Sequence, residues 1–324
     1  MNSRPFLWVL LLSVLWSLSW PLIKFAGHSV PPVALVVGRM TIAVACLVPY
    51  LYLRGSHLPR LGRGALRVWL PLLLIALVGN AVPYTLVAWG QHYVASGLSA
   101  VLVGTMPVWT VLITHFFSKG ERAGERLNGM KLVGALSGFA GIVLLVGPAA
   151  LGRESEALFG EMLLLAAALC WACGTIYTSF ARVASPDQAA AATALLSALV
   201  LAPISAVWEQ PWTLDIPDEA LLAVLALGVV ATALGTILVF RITTRHGPTM
   251  MSMVMYLNPA LAMAWGALFF GESLAPRHIA AFICIAAGLV LIDRGRRRAM
   301  AVLQPAAAAA PPPRRLLMTA PPRD

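Results

Sequence analysis

Long apolar segments follow one another along most of the chain, and they constrain its fold more than any other feature of the sequence. About 20 apolar residues in a helix cross the hydrocarbon core of a bilayer, and a backbone embedded in lipid must satisfy its own hydrogen bonds. Ten such segments are separated by proline, glycine and charged residues, at about 6–24, 32–53, 68–89, 96–117, 128–147, 158–181, 188–208, 219–241, 248–270 and 276–293. The sequence therefore predicts an all-α integral membrane protein with ten transmembrane helices.

The composition excludes the main alternatives to a membrane carrier. Of the 324 residues, 60% are hydrophobic and 11% are charged, whereas a soluble domain carries about 25% charged residues. Ten spans use about 200 residues, so no nucleotide-binding domain of an ATP-driven pump fits beside them. The HExxH, GxSxG and Walker A patterns do not occur in the sequence. We therefore expect neither an enzyme nor a bound cofactor, and expect transport to draw on a gradient of protons or of solute.

Cysteine usage points to packing rather than to metal binding. The four cysteines all lie inside apolar segments, and the CxxC pair formed by Cys170 and Cys173 has no second pair and no nearby histidine. A zinc or redox site needs a partnered or accessible arrangement of such residues. We therefore expect buried, unreactive thiols and no metal site.

Basic residues determine the predicted orientation in the membrane. A net charge of +10 could suggest a nucleic-acid partner, but the basic residues lie in short loops and in the C-terminal tail. With the N-terminus inside, the loops and the residues next to the spans place fifteen Lys and Arg on the inner side and three, Lys24, Arg153 and Arg277, on the outer side. This positive-inside bias predicts a multi-pass protein of the cytoplasmic (inner) membrane with both termini cytoplasmic. Its expected partners are the lipid bilayer and a small-molecule substrate, not nucleic acid.

The segment after the last span has a different composition. Residues 294–324 contain Arg296, Arg297 and Arg298, an alanine run and clustered prolines. Such a composition is typical of disordered segments, and its basic residues suit an anionic lipid surface. We predict a disordered cytoplasmic tail there.

The two halves of the chain, 1–147 and 148–293, share an ordered set of residues. Trp16 and Trp171 each lie about halfway along the first span of their half, and the fourth spans contain Pro107 and Pro259 at matching places. After each of these fourth spans, a glutamate precedes a glycine by sixteen residues, as in the pairs Glu125–Gly141 and Glu272–Gly288. Five spans is an odd number, so the second half is predicted to enter the membrane inverted. Inverted repeats are characteristic of secondary transporters, with the binding site at the midplane between them.

The doubled pattern resembles a known family. Together with the order of residues in the first two spans it is similar to EamA-type transporters of the drug/metabolite transporter superfamily, through Trp16, Pro21, Lys24 and Arg39. The resemblance covers nearly everything but the tail. It implies two five-helix EamA-type repeats in an inner-membrane carrier, commonly an exporter of amino acids, other metabolites or drugs. It also implies a central site formed by helices 1, 3, 4, 6, 8 and 9. The first half departs from the pattern in its longer loop with two candidate glutamates, Glu121 and Glu125, of which the spacing favours Glu125.

Arg39 is the charged side chain placed deepest in a predicted span. A buried guanidinium is costly unless it faces a cavity or finds an acceptor. It could anchor a carboxylate or another anion of the substrate by bidentate hydrogen bonds, or it could be a structural charge bonded to helix-end carbonyls. Lys24 ends the first span, where it can reach the outer surface.

Polar and aromatic residues within the spans complete the predicted site. Amides in lipid need partners, and aromatic residues at midspan are too deep for the interfacial belt. Each of these residues could instead be packing or interhelical contact. We predict one polar–aromatic cavity, with Arg39, lined by Trp16, Asn80, Tyr84, Trp171, Tyr256 and Asn258. Pro107 and Pro259 are predicted hinges, since each removes a helical hydrogen bond.

A glycine stripe bears on the oligomeric state. Gly134, Gly138 and Gly141 share one face of the fifth predicted helix. Such a face serves close packing either within the molecule, which we favour, or in a dimer, so a monomer or a weak homodimer is expected.

Transport, most simply export by alternating access, is the predicted function. The alternatives are uptake or exchange of phosphorylated or nucleotide-linked solutes and, in another class, a membrane receptor or enzyme.

Overall fold

The computed structural model of the chain describes residues 4–60, 62, 64–117, 128–150, 155–181, 185–273 and 275–308, and in these ranges the regular structure is helical throughout. The first half contains α1 (Arg4–Ser17), α2 (Ser19–Ala26), α3 (Pro32–Leu53), α4 (Ala65–Ala76), α5 (Val82–Gly90), α6 (Ser96–Val103), α7 (Met106–Phe117) and α8 (Gly129–Ala150). The second half contains α9 (Ser155–Phe180), α10 (Pro186–Trp208), α11 (Asp218–Ala226), α12 (Gly235–Phe270) and α13 (Pro276–Ala308), with a short 3₁₀ turn at Pro211–Thr213.

Within the described residues, seven helical stretches are long and apolar enough to cross a membrane. They are Leu7–Ala26, Pro32–Leu53, Ala65–Gly90, Ser155–Thr178, Pro186–Trp208, Asp218–Val239 and Pro276–Gly295. A shorter apolar helix covers Leu257–Phe270. The predicted fourth span is divided between α6 and α7, and the predicted fifth span corresponds to α8. The all-helical membrane architecture is therefore confirmed, and the seven long helices coincide with predicted spans.

The longest helical element, α12, contains the end of the predicted span at 219–241 and all of the span at 248–270, without a helical break at Gly247–Pro248. Its two arms nevertheless meet the same part of the chain. A methyl group added at Gly235 would lie 2.7 Å from the indole nitrogen of Trp16, and Asn258 accepts a hydrogen bond from Trp20. In a straight helix, Gly235 and Asn258 would be about 35 Å apart, whereas Trp16 and Trp20 are separated by about 6 Å along theirs. The element therefore folds back between these two contacts.

Proline explains where two predicted spans are broken. Pro21 cannot donate a hydrogen bond to the carbonyl of Ser17, and α1 ends at that residue. Pro107 cannot donate to the carbonyl of Val103, and α6 ends there, with α7 beginning after a turn at Gly104. The broken spans keep their apolar character, so each pair of short helices still forms one stretch of the bundle.

Two stretches of π-helix interrupt other predicted spans. The first, Leu77–Ala81, joins α4 to α5, and the second, Leu227–Leu234, joins α11 to α12. π-Helical turns are uncommon and occur frequently at functional sites, because they displace backbone carbonyls from the regular ladder. These two segments lie in the third predicted span of each half.

Glycines bring α8 and α13 into backbone contact. A methyl group at Gly134 would come within 2.6 Å of the carbonyl oxygen of Gly288, and one at Gly141 within 2.6 Å of the Ile285 side chain. The hydroxyl of Ser137 donates a 2.8 Å hydrogen bond to the carbonyl of Cys284 across the same seam. Gly138 packs against Val108 of α7. The glycine stripe therefore serves packing within the molecule, which confirms the intramolecular interpretation.

The last helix extends beyond the predicted span. α13 continues to Ala308, so the first part of the predicted tail, from 294 to 308, is helical rather than disordered. Where the helix passes from the predicted span into the predicted tail, Arg297 and Asp293 form an ion pair with a 2.8 Å separation. This i, i+4 pairing supports the helix. Residues 309–324 and both candidate glutamates of the first-half loop, Glu121 and Glu125, lie outside the described residues.

Candidate functional site

Arg39 is a deeply buried charged side chain about seven residues into α3. It lies in α3 with 1% of its surface exposed. Its Nε and one terminal nitrogen donate hydrogen bonds of 3.1 and 2.9 Å to the hydroxyl of Thr232. That hydroxyl in turn donates a 2.9 Å bond to the carbonyl of Leu227 in the second π-helical segment. The guanidinium therefore joins α3 to the π-helical segment, and its partner is a hydroxyl rather than the helix-end carbonyls considered above.

Tyr84 supplies the second contact of this guanidinium. The carbon at the centre of the Arg39 guanidinium lies 4.2 Å from the centre of the Tyr84 ring. A cation held over an aromatic face in a desolvated place gains about 2 kcal/mol. Tyr84 lies in α5 of the first half and Thr232 in the second half, so Arg39 joins predicted spans from both halves of the chain through one planar group.

Trp171 continues this cluster on α9. Its ring meets that of Tyr84 edge to face, with centroids 5.3 Å apart, a favourable aromatic geometry. Its indole nitrogen donates a 2.8 Å hydrogen bond to the carbonyl of Gly79 in the first π-helical segment. In a regular helix that carbonyl would pair with residue 83, but Pro83 has no N–H to donate. The indole therefore satisfies a carbonyl that the local sequence leaves without its helical donor.

Asn80 lies beside this contact, half-buried within the first π-helical segment. Contacts therefore bring together Arg39, Tyr84 and Trp171, and Asn80 is next to Gly79 in the chain. We call the group formed by Arg39, Tyr84, Trp171 and Thr232 the guanidinium–aromatic cluster.

Trp16 lies against the start of α12, directly after the second π-helical segment. Its indole packs against Gly235, three residues after Thr232 in the chain, and Gly174 packs against the backbone of Gly79 in a similar way. Trp16 belongs to a separate apolar cluster with the buried side chains of Leu12 and Leu238. The glycine that Trp16 contacts is close in the chain to Thr232, but Trp16 itself has different neighbours from Trp171.

Asn258 forms a third contact point. It is 8% exposed, and its Oδ1 accepts a 2.8 Å hydrogen bond from the indole of Trp20, which is also buried. One turn earlier, the hydroxyl of Ser17 accepts a 2.9 Å bond from the indole of Trp265. These bonds tie the end of α1 and the start of α2 to the second arm of α12. The predicted residue Tyr256 is in α12, but its side chain lies outside the described side chains.

The two predicted hinge prolines lie at different kinds of place. Pro107 is the second residue of α7, directly after the break at Gly104, whereas Pro259 lies inside α12 with helix on both sides. A methyl group at Gly104 would be 3.1 Å from the Pro259 ring. The break in the fourth predicted span therefore contacts the proline of its counterpart.

Carboxylates hold the starts of two helices at the predicted outer side. Glu272 accepts hydrogen bonds of 2.7 and 3.0 Å from the backbone of Ser96 and Gly97, where α6 begins. Glu209 accepts bonds of 2.9 and 2.6 Å from the backbone of Val33 and Ala34 at the start of α3. An anion at a helix N-terminus satisfies free N–H groups and suits the helix dipole. The sequence motif containing Glu272 thus has a structural role in helix capping.

Lys24 stabilises a helix end of the opposite polarity. Its ammonium group donates hydrogen bonds of 2.9 and 3.2 Å to the carbonyls of Gln91 and Val94, which follow α5. Carbonyls at a helix C-terminus favour a cation. Lys24 therefore turns back onto the protein at the end of its span.

Two buried polar residues were missed in the sequence. Thr232 is 5% exposed and Glu161 is fully buried in α9. A threonine in an apolar run gives no signal of its partner, because its hydroxyl can bond its own helix. Glu161 was detectable, since a carboxyl in an apolar span is rare, but its place near the start of the segment made it resemble an interfacial residue.

Among the described residues, no group of three or more potential ligands could hold a metal ion. The four cysteines are half-buried and unbridged, and none belongs to the guanidinium–aromatic cluster. That cluster instead offers hydrogen-bond donors, a cation and aromatic edges, which suit an organic solute.

Comparison with known proteins extends these findings. The model of the EamA-like transporter family matches residues 3–147 and 158–293. The chain is 28% identical over 286 residues to an Escherichia coli K12 protein described as the uncharacterized inner membrane transporter YedA, covering 88% of this chain and 89% of that one. It is 26% identical over 306 residues to a probable amino-acid metabolite efflux pump of Salmonella typhimurium, covering 90% and 95%.

A solved structure is also similar in fold. It is titled only as the crystal structure of a protein, with a TM-score of 0.61, 22% identity, and coverage of 92% of this chain and 100% of that one. At this identity the match supports the arrangement of helices alone.

Proposed function

The chain belongs to the EamA-like transporter family, and on that basis we propose that it exports a small organic metabolite or drug, with amino-acid-like solutes as the leading class. The chain is a membrane transporter of the drug/metabolite type, and its relatives are named as transporters and not as enzymes. The substrate class and the direction are our proposal. The relative named as an amino-acid metabolite efflux pump favours both.

The observation that carries the proposal is the burial of Arg39 between Thr232 and the Tyr84 ring. A guanidinium has five N–H donors, and the threonine hydroxyl accepts from two of them. A carboxylate or another polar acceptor of the solute would bind the same group, while the edges of Trp171 and Tyr84 would contact its apolar part. An amino acid or an aromatic drug has both features.

We propose alternating access of two inverted five-helix repeats as the mechanism, in ten transmembrane helices with both termini in the cytoplasm. The matched features of the halves support this arrangement. The third predicted span of each half contains a π-helical segment, and a tryptophan of the other half's first span lies against each, Trp171 at Gly79 and Trp16 at Gly235. α3 packs against α10 and α8 against α13, which pairs corresponding helices of the two halves.

The proposed movement would take place where regular helix is interrupted. The π-helical segments and the turn at Gly104 have weaker backbone ladders than the continuous helices around them. Pro259, against which Gly104 packs, marks the corresponding place in the second half. The seam between α8 and α13 would stay closed, since its backbones already touch.

Direct flux measurement tests the proposal. Purified protein in proteoliposomes would be given a panel of amino acids, their amides and aromatic drugs, with and without a pH gradient. We expect selective, saturable movement of at least one solute, and a proton dependence that identifies the driving gradient. Folded protein that neither transports nor binds any compound of the panel would contradict the proposal. Preferential exchange of phosphorylated or nucleotide-linked solutes would favour the alternative carrier function.

A further inference from the structure

A small pocket lies at the predicted outer end of the molecule, away from the guanidinium–aromatic cluster. The end of α2 and the turn after it form one wall, and the end of α5 with the turn after it forms the other. The space holds about 260 Å³ including its open mouth. Its polar lining consists of Lys24, His28, Gln91 and His92. All four are nitrogen-bearing side chains, and none is an acid.

The amide of Gln91 is the unusual member of this lining. Its side chain is only 2% exposed, yet in the described structure neither its nitrogen nor its oxygen has a hydrogen-bond partner. Leaving a buried amide unpaired is costly, and native structures rarely retain such a group without a reason. A carboxylate oxygen would accept from its nitrogen, while its oxygen would need a separate donor.

Lys24 contributes the positive charge. Two of its three N–H groups are used by the carbonyls of Gln91 and Val94, which leaves the third for an acceptor. The nearby carboxylate of Glu272 is occupied by the backbone at the start of α6. Within the described residues, no carboxylate forms an ion pair with Lys24, and although the charge of Glu272 acts on its ammonium group, the third N–H group is left for a ligand.

Two imidazoles complete the set of donors. A methyl group at Gly27 would come within 3.7 Å of the ring of His92, which places this ring against the turn that also contains His28. The pKa of His92 is lowered by burial and by the positive charges of Lys24 and His28. A bound anion beside His92 would oppose this lowering, because it favours the protonated ring.

We propose that this pocket is a binding site for the carboxylate group of a small solute, held by the Lys24 ammonium, the Gln91 amide and the two imidazoles. The site lies outside the guanidinium–aromatic cluster and serves as a second substrate-binding site of the transport pathway, at the predicted outer face. That role rests on the proposed transport function, whereas binding of a carboxylate does not. The substrate class that follows is a solute with a free carboxylate.

The direct test is a binding titration of the full-length protein in lipid nanodiscs, observed by NMR of isotope-labelled histidine rings. Acetate is the probe, and acetamide, which has the same size without the charge, is the control. We expect acetate to shift the rings of His28 and His92 saturably and to raise the pKa of His92, because the bound anion stabilises its protonated form. Acetamide should produce neither change. Equal responses to the two compounds, or no saturable response, would overturn the proposal.

Two substitutions separate a binding role from a structural one. Gln91→Leu removes the unpaired amide, so the protein should melt at the same temperature or higher while acetate binds at least tenfold more weakly. Lys24→Gln should also weaken acetate binding at least tenfold, whereas Lys24→Arg keeps the charge and should retain most of it. Arg277→Gln, an exposed cation on the same predicted side, should leave binding unchanged. Unaltered acetate affinity in Gln91→Leu would refute the site even if Lys24→Gln failed to fold.

The same preparations distinguish the site from the transport proposal. Proteoliposomes containing Gln91→Leu would be tested for flux of an amino acid and of its amide. Acetate binding without flux of any solute would sustain the site and contradict the transport function. Flux of an amino acid that Gln91→Leu leaves unchanged, together with the absence of acetate binding, would sustain transport and eliminate the site.

Discussion

The indole of Trp171 donates its hydrogen to the carbonyl of Gly79, at 2.8 Å. The donor and the acceptor belong to different halves of the chain, and the α-helical donor position for this carbonyl is occupied by Pro83, which has no N–H. The same indole ring meets Tyr84, which holds the guanidinium of Arg39. One side chain therefore supports both an irregular backbone and the contact that we assign to the substrate.

Replacing Trp171 tests the structural part of this relationship. Trp171→Phe keeps an aromatic ring beside Tyr84 but removes the donor, so a half-buried carbonyl loses its bond to the indole at a cost of about 1 kcal/mol. We expect a lower thermal midpoint in detergent and slower flux. The matched control is Trp212→Phe, because Trp212 is 69% exposed in the loop after α10 and its change should be within about 0.5 kcal/mol. Equal effects of the two substitutions would contradict the prediction.

Arg39 should be intolerant even of lysine. Lysine keeps the charge but loses the planar group that spans the Tyr84 face and the Thr232 hydroxyl. We expect Arg39→Lys to lower flux in proteoliposomes at least tenfold while protein still inserts in the membrane. Arg277→Lys makes the same exchange at an exposed place and should be silent. Flux within twofold of the unmodified protein for Arg39→Lys would remove Arg39 from the site.

Thr232 should matter through its hydroxyl. Thr232→Val keeps the shape but removes the acceptor from two N–H groups of a buried guanidinium, at a cost of about 2 kcal/mol. Thr232→Ser retains the acceptor and should restore most of the thermal midpoint. The measurement is unfolding followed by fluorescence-detected gel filtration. A serine variant as unstable as the valine variant would indicate that packing, and not the hydrogen bond, is what Thr232 provides.

The α8–α13 seam should reject even one methyl group. At Gly288 an added methyl would lie 2.5 Å from the carbonyl oxygen of Gly134, and two backbones would have to separate. We expect Gly288→Ala to destabilise the protein by about 1–3 kcal/mol. Gly129→Ala, at the start of α8, has open space around it and should be neutral or stabilising by up to about 1 kcal/mol. The thermal midpoint of each variant tests this prediction. A neutral Gly288→Ala would mean that α8 and α13 are farther apart than described above.

Acid should destabilise the folded protein through His92. Burial and the charges of Lys24 and His28 lower its pKa below the ordinary value of 6.5, so the unfolded chain binds the proton more tightly. This penalty is absent well above pH 6.5 and grows as the pH falls through that value. His92→Gln should therefore lose less stability than the unmodified protein between pH 8 and pH 5. A difference between the two melting temperatures that does not change with pH would contradict this prediction.

Hydropathy alone predicted the location of the long helices, because a hydrocarbon core imposes both the length and the apolar composition of a spanning segment. The grouping of Arg39, Tyr84 and Trp171 follows the same reasoning, since polar groups in lipid must turn inward. The partner of Arg39 could not be predicted. Thr232 lies among apolar residues in a segment whose π-helical winding depends on tertiary contacts, and winding decides which way a side chain points.

The separate position of Trp16 has a similar explanation. The sequence repeat predicts related places for Trp16 and Trp171, and each lies against a glycine in the third predicted span of the opposite half. Their surroundings differ because α1 packs against both arms of α12, whereas α9 packs against the π-helical segment before Pro83. A sequence repeat indicates related positions along the chain, but the neighbours of each position depend on how the segments in between are folded.

The glycine contacts between α8 and α13 also bear on how the molecule could be assembled. α8 is the last helix of the first half and α13 the last of the second, and their backbones touch at Gly134 and Gly288. α3 and α10 join the halves a second time. The peptide connection after Ala150 is therefore not what holds the halves together, and two polypeptides divided there and produced in the same cell should complement each other as a working pair. Such a pair would resemble a heterodimer, the form from which a duplicated and fused gene could have arisen.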